Sequence, residues 1–388
     1  MKKLAALLTT IGLAASLVGG ETSEQLLFKV LETARRGTPG NVLLSPFGIR
    51  QCYGMVSLGA GPVTGAELKN VLALEPAGLP DMLKKVRSLR QAKAETKFSS
   101  FNTVVVDKRY TLKPAFRTAV EKQCEGTILQ ADLKKAAESA DMLNKLIAKQ
   151  SSGLFTNAFD KADLKNDPAV VLLNVLYFKA RWAMTFRKEG TEKRPFTLAD
   201  GKKKEVDMMQ AKWFVPYYND GKVHGIVLDY KDRRFKMFFL MPVDAKTPLS
   251  AVTELLASQG VLALMAKATQ ENKTAIRLPK LELRSSLDLV ELLKKAGMTA
   301  LFDPNRGDLV KMVERFPLYI GKSKQVVKLT LDENGTEAAA ATYAIGMVGA
   351  AFGPPPKTNT FHADRPFVLV LTDTETQTDL LSAVVMEP

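Results

Sequence analysis

Apolar positions along this chain follow two spacings. In the first part they recur every three to four residues, the period of a helix buried on one side; further on they form unbroken or alternating runs, as in strands. Glu24 to Arg36 reads as an amphipathic helix closed by a Gly37-Thr38-Pro39-Gly40 turn. Asn41 to Leu44 is a short apolar run ending at Ser45-Pro46, and a helix follows over Ile49 to Leu58. Asp81 to Lys93 places Met82, Val86 and Leu89 on one helical face; Lys113 to Gln123 and Ala137 to Gln150 are also helical. Phe101 to Val106 predicts a buried strand, and Ala169 to Phe178 is long enough and β-branched enough for a central one. Phe235 to Met241 is a strand closed by Pro242, and Leu287 to Ala296 is a helix stopped by Gly297. Gln325 to Leu331, Phe367 to Leu371 and Leu380 to Met386 supply the last strands. Helices come early, strands late, with no regular βαβ alternation, which predicts an α+β fold. No linker, repeat or low-complexity tract divides the chain.

The segment after Leu331 reads two ways. Asn334-Gly335 signals a turn. Thr336 followed by Ala338 to Ala341 has the propensity of a capped helix. As a strand, the same residues put Thr336, Ala338, Ala340, Thr342, Ala344 and Gly346 on one face, all small and uncharged, with Glu337, Ala339, Ala341, Tyr343, Ile345 and Met347 opposite. A strand that must push between two others needs such a face, because bulk would clash and charge would lose its hydration.

Composition changes this picture little. With 46% hydrophobic and 25% charged residues, the 388-residue chain can bury a large core. Lys2 and Lys3 precede an apolar run from Leu4 to Val18, then Gly19-Gly20, so residues 1–20 read as a secretory signal peptide, too short to span a membrane. Residues 21–388 are then one domain of a secreted, soluble protein, periplasmic or extracellular if the source is bacterial. Cys52 and Cys124 read as two separate half-buried thiols. Net charge is +14, and Lys84, Lys85, Arg87, Arg90 and Lys93 share one segment. These residues read as a solvated helix face or, as the minority alternative, a site for a polyanion such as heparin or DNA; no aromatic residues are interleaved with them.

The search for catalysis is empty. The chain has two histidines, His224 and His362, neither with a catalytic partner in sight; His224 reads as a strand-edge residue before Gly225 to Leu228. GxSxG, HExxH and phosphate-loop patterns are missing, as is metal-ligand spacing. A binding or inhibitory role fits better than an enzyme, with no cofactor or metal.

Five segments in order carry a resemblance. The hinge Glu333-Asn334-Gly335-Thr336-Glu337-Ala338-Ala339-Ala340-Ala341-Thr342, Asn41 to Pro46, Asn174 to Trp182 with Phe186, Leu278-Pro279-Lys280 with Gly297-Met298 and Phe302, and Phe361 to Phe367 resemble the motifs of the serpin family. The resemblance implies three sheets with eight or nine helices, a metastable native state and an exposed reactive loop, here about residues 335–360. A target serine protease cleaves that loop and is trapped as an acyl-enzyme while the loop inserts as a new strand. It implies a monomer that forms a covalent complex with its target. Counting from Gly335 puts the scissile bond near Gly349-Ala350, small residues that suit an elastase-like or subtilisin-like enzyme; a shifted register makes Met347 or Phe352 the primary residue and the enzyme chymotrypsin-like. Gly353-Pro354-Pro355-Pro356 lengthens the distal part of the loop and keeps it extended. The resemblance further implies a Glu333–Lys280 pair, a polar gating cluster around Ser45 and Asn174, and Trp182 where insertion begins. Two residues depart from the family: Gln325 replaces a histidine and Gly48 a serine, which alters the gating network. If the source is eukaryotic, Asn272-Lys273-Thr274 is a glycosylation acceptor. A non-inhibitory carrier or chaperone of the same family is the alternative; it would have a bulky or charged residue in the hinge, and none lies between Ala338 and Thr342.

Overall fold

The computed structural model describes residues 30–36, 40–92, 96–151, 153–315, 317–336 and 357–388. Three sheets carry the architecture. The main sheet runs β11 (Leu281–Asp288), β12 (Ile320–Leu331), β4 (Val170–Arg181), β2 (Lys97–Asp107), β3 (Thr127–Ala131), and a two-residue strand β13 (Gly335–Thr336) also pairs with β4. The second sheet runs β1 (Val42–Leu44), β16 (Thr378–Val385), β15 (Phe367–Asp373), β9 (Phe235–Pro242), β8 (Val223–Asp229), β7 (Tyr217–Asn219). The third runs β14 (Thr358–His362), β10 (Lys273–Pro279), β6 (Lys203–Phe214), β5 (Glu192–Thr197). Nine α-helices occur among the described residues: α1 over 30–36, α2 (Pro46–Ser57), α3 (Pro62–Leu72), α4 (Leu79–Arg90), α5 (Pro114–Cys124), α6 (Ala136–Gln150), α7 (Ser250–Gln259), α8 (Val261–Ala266) and α9 (Leu289–Lys295). The mixture of helices with three sheets is the expected α+β class.

β4 explains the layout. Its sequence is apolar almost throughout because both faces are covered. Val171, Leu173 and Val175 point outward into a cluster with Leu143 and Ile147 of α6 and with Phe155, Phe159 and Leu164 of the segment leading back to β4. Val170, Leu172, Leu176 and Phe178 point inward, toward α2 and the second sheet. Helix α2 is buried on nearly every side, so its sequence lacks a charged face; Ser45 caps it through a bond from the Gly48 amide, and Pro46 occupies its first turn. Where they fall on described residues, the expected elements are found within about five residues of their predicted bounds; the starts and ends expected at Glu24 and Lys93 lie outside those residues. α3, α7, α8, β3, β7, β11 and the third sheet are additions.

Candidate functional site

The site is the seam between β12 and β4 and the turn above it. The two strands pair directly and in parallel, from Ile320 opposite Val170 to Lys328 opposite Tyr177. Beyond that level the partner of β4 changes. The chain leaves β12, turns over Asp332 to Gly335, and comes back as β13, antiparallel to β4, with Gly335 opposite Arg181 and Thr336 opposite Ala180. The turn closes through a bond from the Asp332 amide to the Gly335 carbonyl (2.9 Å), and the Asp332 carboxylate accepts from the Asn334 amide (2.8 Å). Gly335 is required here: φ is +146°, and a Cβ would lie 2.2 Å from the Ala180 carbonyl oxygen.

Aromatic and charged groups fix this turn. The Trp182 indole stacks on Tyr230 at 4.4 Å and donates to the Asp332 carbonyl at 3.1 Å. The Trp182 and Phe186 amides donate to the Asn334 and Glu333 carbonyls. The Thr336 side chain is fully buried, with its hydroxyl 2.6 Å from that of Tyr230. Glu333 meets Lys280 at 3.0 Å and accepts from the Thr191 hydroxyl at 2.8 Å. Burial pushes the Glu333 carboxyl toward its neutral form. Its own backbone amide, Thr191 and Lys280 outweigh that and hold its pKa below the ordinary value.

Further down the seam lies a buried polar cluster on the inner face. Asn174 sits among inward-facing apolar residues and therefore needs partners for every polar atom. Its Oδ1 accepts from Gln325 Nε2 (2.8 Å), and its Nδ2 donates to Asn102 Oδ1 (2.8 Å). Gln325 also donates to the Ser45 carbonyl (2.9 Å) and accepts from the Ser45 amide (2.7 Å), while the Ser45 hydroxyl donates to the Leu380 carbonyl. Ser45, Asn174 and Gln325 are thus brought together as one network, with Gly48 against Asn174 where the family's serine would stand. Sequence reasoning missed Asn102 and Tyr230: Asn102 stands opposite Asn174 in the register of β2 with β4, and Tyr230, just past the end of β8, is brought here by its bridge to Trp182.

The remaining candidates are scattered. Glu337 to Thr342, Met347, Gly349, Ala350 and Phe352 lie outside the described residues, as do Lys93 and the leader at 1–20. On α4, Arg87 and Arg90 both grip Glu125, and Lys84 pairs with Asp81. His224 lies within β8, the second strand from the sheet margin, so it is not an edge residue. It is buried against Phe361 and 3.1 Å from the Tyr217 hydroxyl, and burial with the nearby Arg365 charge pulls its pKa down to about 4. Cys52 and Cys124 are separate free thiols; Cys52 is fully rather than half buried because α2 has no exposed face, and burial raises both thiols to about 12. Among the described residues no group of three or more His, Cys, Asp or Glu side chains is placed to hold a metal, and no helix is long and apolar enough to cross a membrane.

Residues 21–388 match the family model described as "Serpin (serine protease inhibitor)". Glia-derived nexin of Rattus norvegicus is 26% identical, over 96% of this chain and 93% of its own length. Leukocyte elastase inhibitor A of the same species is 27% identical, over 93% and 97%. The crystal structure of the thermophilic serpin Tengpin in its native state superposes with a TM-score of 0.84 at 20% identity, covering 94% of this chain and 93% of that one. The chain belongs to the serpin family, whose curated relatives here are protease inhibitors and not enzymes.

Proposed function

We propose that this protein inhibits serine proteases by offering the loop beyond Thr336 as a substrate and inserting it, once cut, between β12 and β4. One observation carries the reading: the first two residues of that insertion, Gly335 and Thr336, already pair with β4 at the head of the seam. A strand continuing from them would run antiparallel to both neighbours, replacing one parallel ladder with two antiparallel ones. That exchange gains a full set of backbone hydrogen bonds and a slightly better geometry per residue. Alternation beyond Thr336 presents Ala338, Ala340 and Thr342 to the interior, where bulk or charge would stop the process. The carrier or chaperone alternative lacks the obstructing hinge residue it requires.

The target is a serine protease of elastase, subtilisin or chymotrypsin type, according to whether Gly349-Ala350, Met347 or Phe352 presents the scissile bond. An elastase inhibitor among the relatives agrees with the first option. Secretion rests on the leader, and the family match beginning at residue 21 agrees with it. The polyanion partner is the weaker part of the reading, because Lys84, Arg87 and Arg90 each face a carboxylate. An inhibition rate indifferent to heparin removes it.

The test is a denaturing gel of the protein with pancreatic elastase, subtilisin and chymotrypsin, with mass spectrometry of the released C-terminal peptide. A stable band of summed mass is expected, and the peptide's first residue gives the scissile bond. Clean loop cleavage with no such band from any of the three, and no gain in thermal stability afterwards, overturns the inhibitory reading.

A further inference from the structure

The inner face of the β12–β4 seam is held by the Gln325–Asn174 bond. On the outer face a second set of contacts crosses it, and no sequence motif announces them. The segment joining α6 to β4 covers that face, packing Phe155, Phe159 and Leu164 over Val171 and Leu173 of β4 and Val326 of β12. It is tied to α6: Asn144 of that helix accepts from the Ala158 and Phe159 amides and donates to the Phe159 carbonyl. Within it, a short helical turn over Lys161–Leu164, capped by Asp160, presents Asp163.

Asp163 reaches across to the far strand. Its two carboxylate oxygens take Lys322 Nζ at 2.8 Å and Lys324 Nζ at 2.5 Å, both from the outward side of β12. Lys324 also donates to the Ala158 carbonyl (2.8 Å) and lies 4.9 Å from the centre of the Phe159 ring. Lys322 is shared with Asp288, the cap of α9, at 2.7 Å. All three principal side chains are only 12–14% exposed, so each charge has been drawn largely out of water against its partners.

We propose that Asp163, Lys322 and Lys324 form a clasp that holds the seam shut from outside and sets how readily a strand enters it. The inference rests on the insertion reading above. A strand placed between β12 and β4 separates them by one further strand spacing, about 4.8 Å. The covering segment is anchored to the β4 side by its apolar contacts and by the chain itself, which joins β4 six residues after Leu164. Contacts of 2.5–2.8 Å to β12 do not survive that displacement. The clasp therefore stabilises the closed sheet and not the expanded one, and its rupture is part of the barrier to insertion. These are positioning residues; none touches the protease.

The experiment adds a synthetic peptide of residues 336–348 to the intact protein and follows its incorporation on native gels. Wild type is compared with Asp163→Asn, Lys324→Met and the double variant. Thermal midpoints are recorded before and after loop cleavage by a protease that cuts the loop without forming the covalent band. Each single variant is expected to take up peptide about tenfold faster, the range of one charge-assisted bond. The double variant should gain little more, since both changes open the same contact. Midpoints of the cleaved forms should match wild type. Uptake at the wild-type rate, or cleaved forms weakened as much as intact ones, overturns the clasp while leaving the inhibitory reading standing. A wild type that neither takes up peptide nor gains stability on cleavage sinks both, because the seam then does not open at all.

Discussion

A Cβ built on Gly48 would lie 2.3 Å from Oδ1 of Asn174 and 2.9 Å from its Cγ. The two departures from the family pattern are therefore one structural change. Gln325 is long enough to engage Asn174 and both backbone groups of Ser45, and it holds Asn174 where a serine at 48 would stand. Gly48→Ser alone should push Asn174 off Gln325 and lower native stability by about 1–3 kcal/mol. Combined with Gln325→His the penalty should shrink, and denaturant titrations of the four-member cycle measure that coupling. Glu333 gives a pH dependence with a definite sign. Its folded pKa is depressed below the ordinary 4.5, so the folded state binds the proton less readily than the unfolded chain does. The contribution is complete above that ordinary value and drains away as pH falls through the depressed folded one. Glu333→Gln should flatten the acid limb of a midpoint-against-pH curve below the ordinary carboxylate value of 4.5, and leave its shape at neutral pH unchanged.

At the scale of elements, the hinge shows what the sequence states and what it leaves open. β13 is two residues long, and the alanines after it favour helix by propensity. Only the presence of β4 beside Thr336 settles that residue as strand. With Thr336 fully buried and hydroxyl-bonded to Tyr230, Thr336→Arg puts a charge where the first inserted side chain must sit. The loop should still be cut at a normal rate, but the variant should behave as a substrate, with the covalent band on a denaturing gel reduced at least about tenfold. β4 and β15 were legible because burial on both faces writes an unbroken apolar run. β6 was not: its Lys203–Phe214 sequence mixes charges, methionines and aromatics, since one side is exposed over much of its length. Of the site, the hinge and the Ser45–Asn174–Gln325 network were visible through resemblance. The pairing of Lys324 with Asp163 was not, because 161 residues separate them and no local pattern joins a lysine on one strand to a turn beyond another.

For the whole molecule, the proposed insertion implies a native state that is not the most stable arrangement of its own chain. β12 and β4 pair along a parallel ladder, with the closed seam held inside by Gln325–Asn174 and outside by Asp163 with its two lysines. Inserting about a dozen residues in place of that ladder adds roughly ten net backbone hydrogen bonds at about 0.5–1.5 kcal/mol each. It also buries the small side chains of the inward face. Opposing this are the loss of both seam contacts and the conformational entropy of ordering a loop. The two ends of the intact loop are held at Thr336 on β4 and at Thr358 on the third sheet, and in the proposed mechanism that tether keeps the exchange from completing. Cutting the loop removes that constraint. Cleavage by a protease that escapes trapping should therefore raise the thermal midpoint by at least about 10 °C, which for a chain of this length corresponds to several kcal/mol. Calorimetry before and after limited proteolysis checks it. An unchanged midpoint would mean that the native arrangement is already the more stable one, so that the pairing of Gly335 and Thr336 with β4 is a fixed turn and not the first step of an insertion.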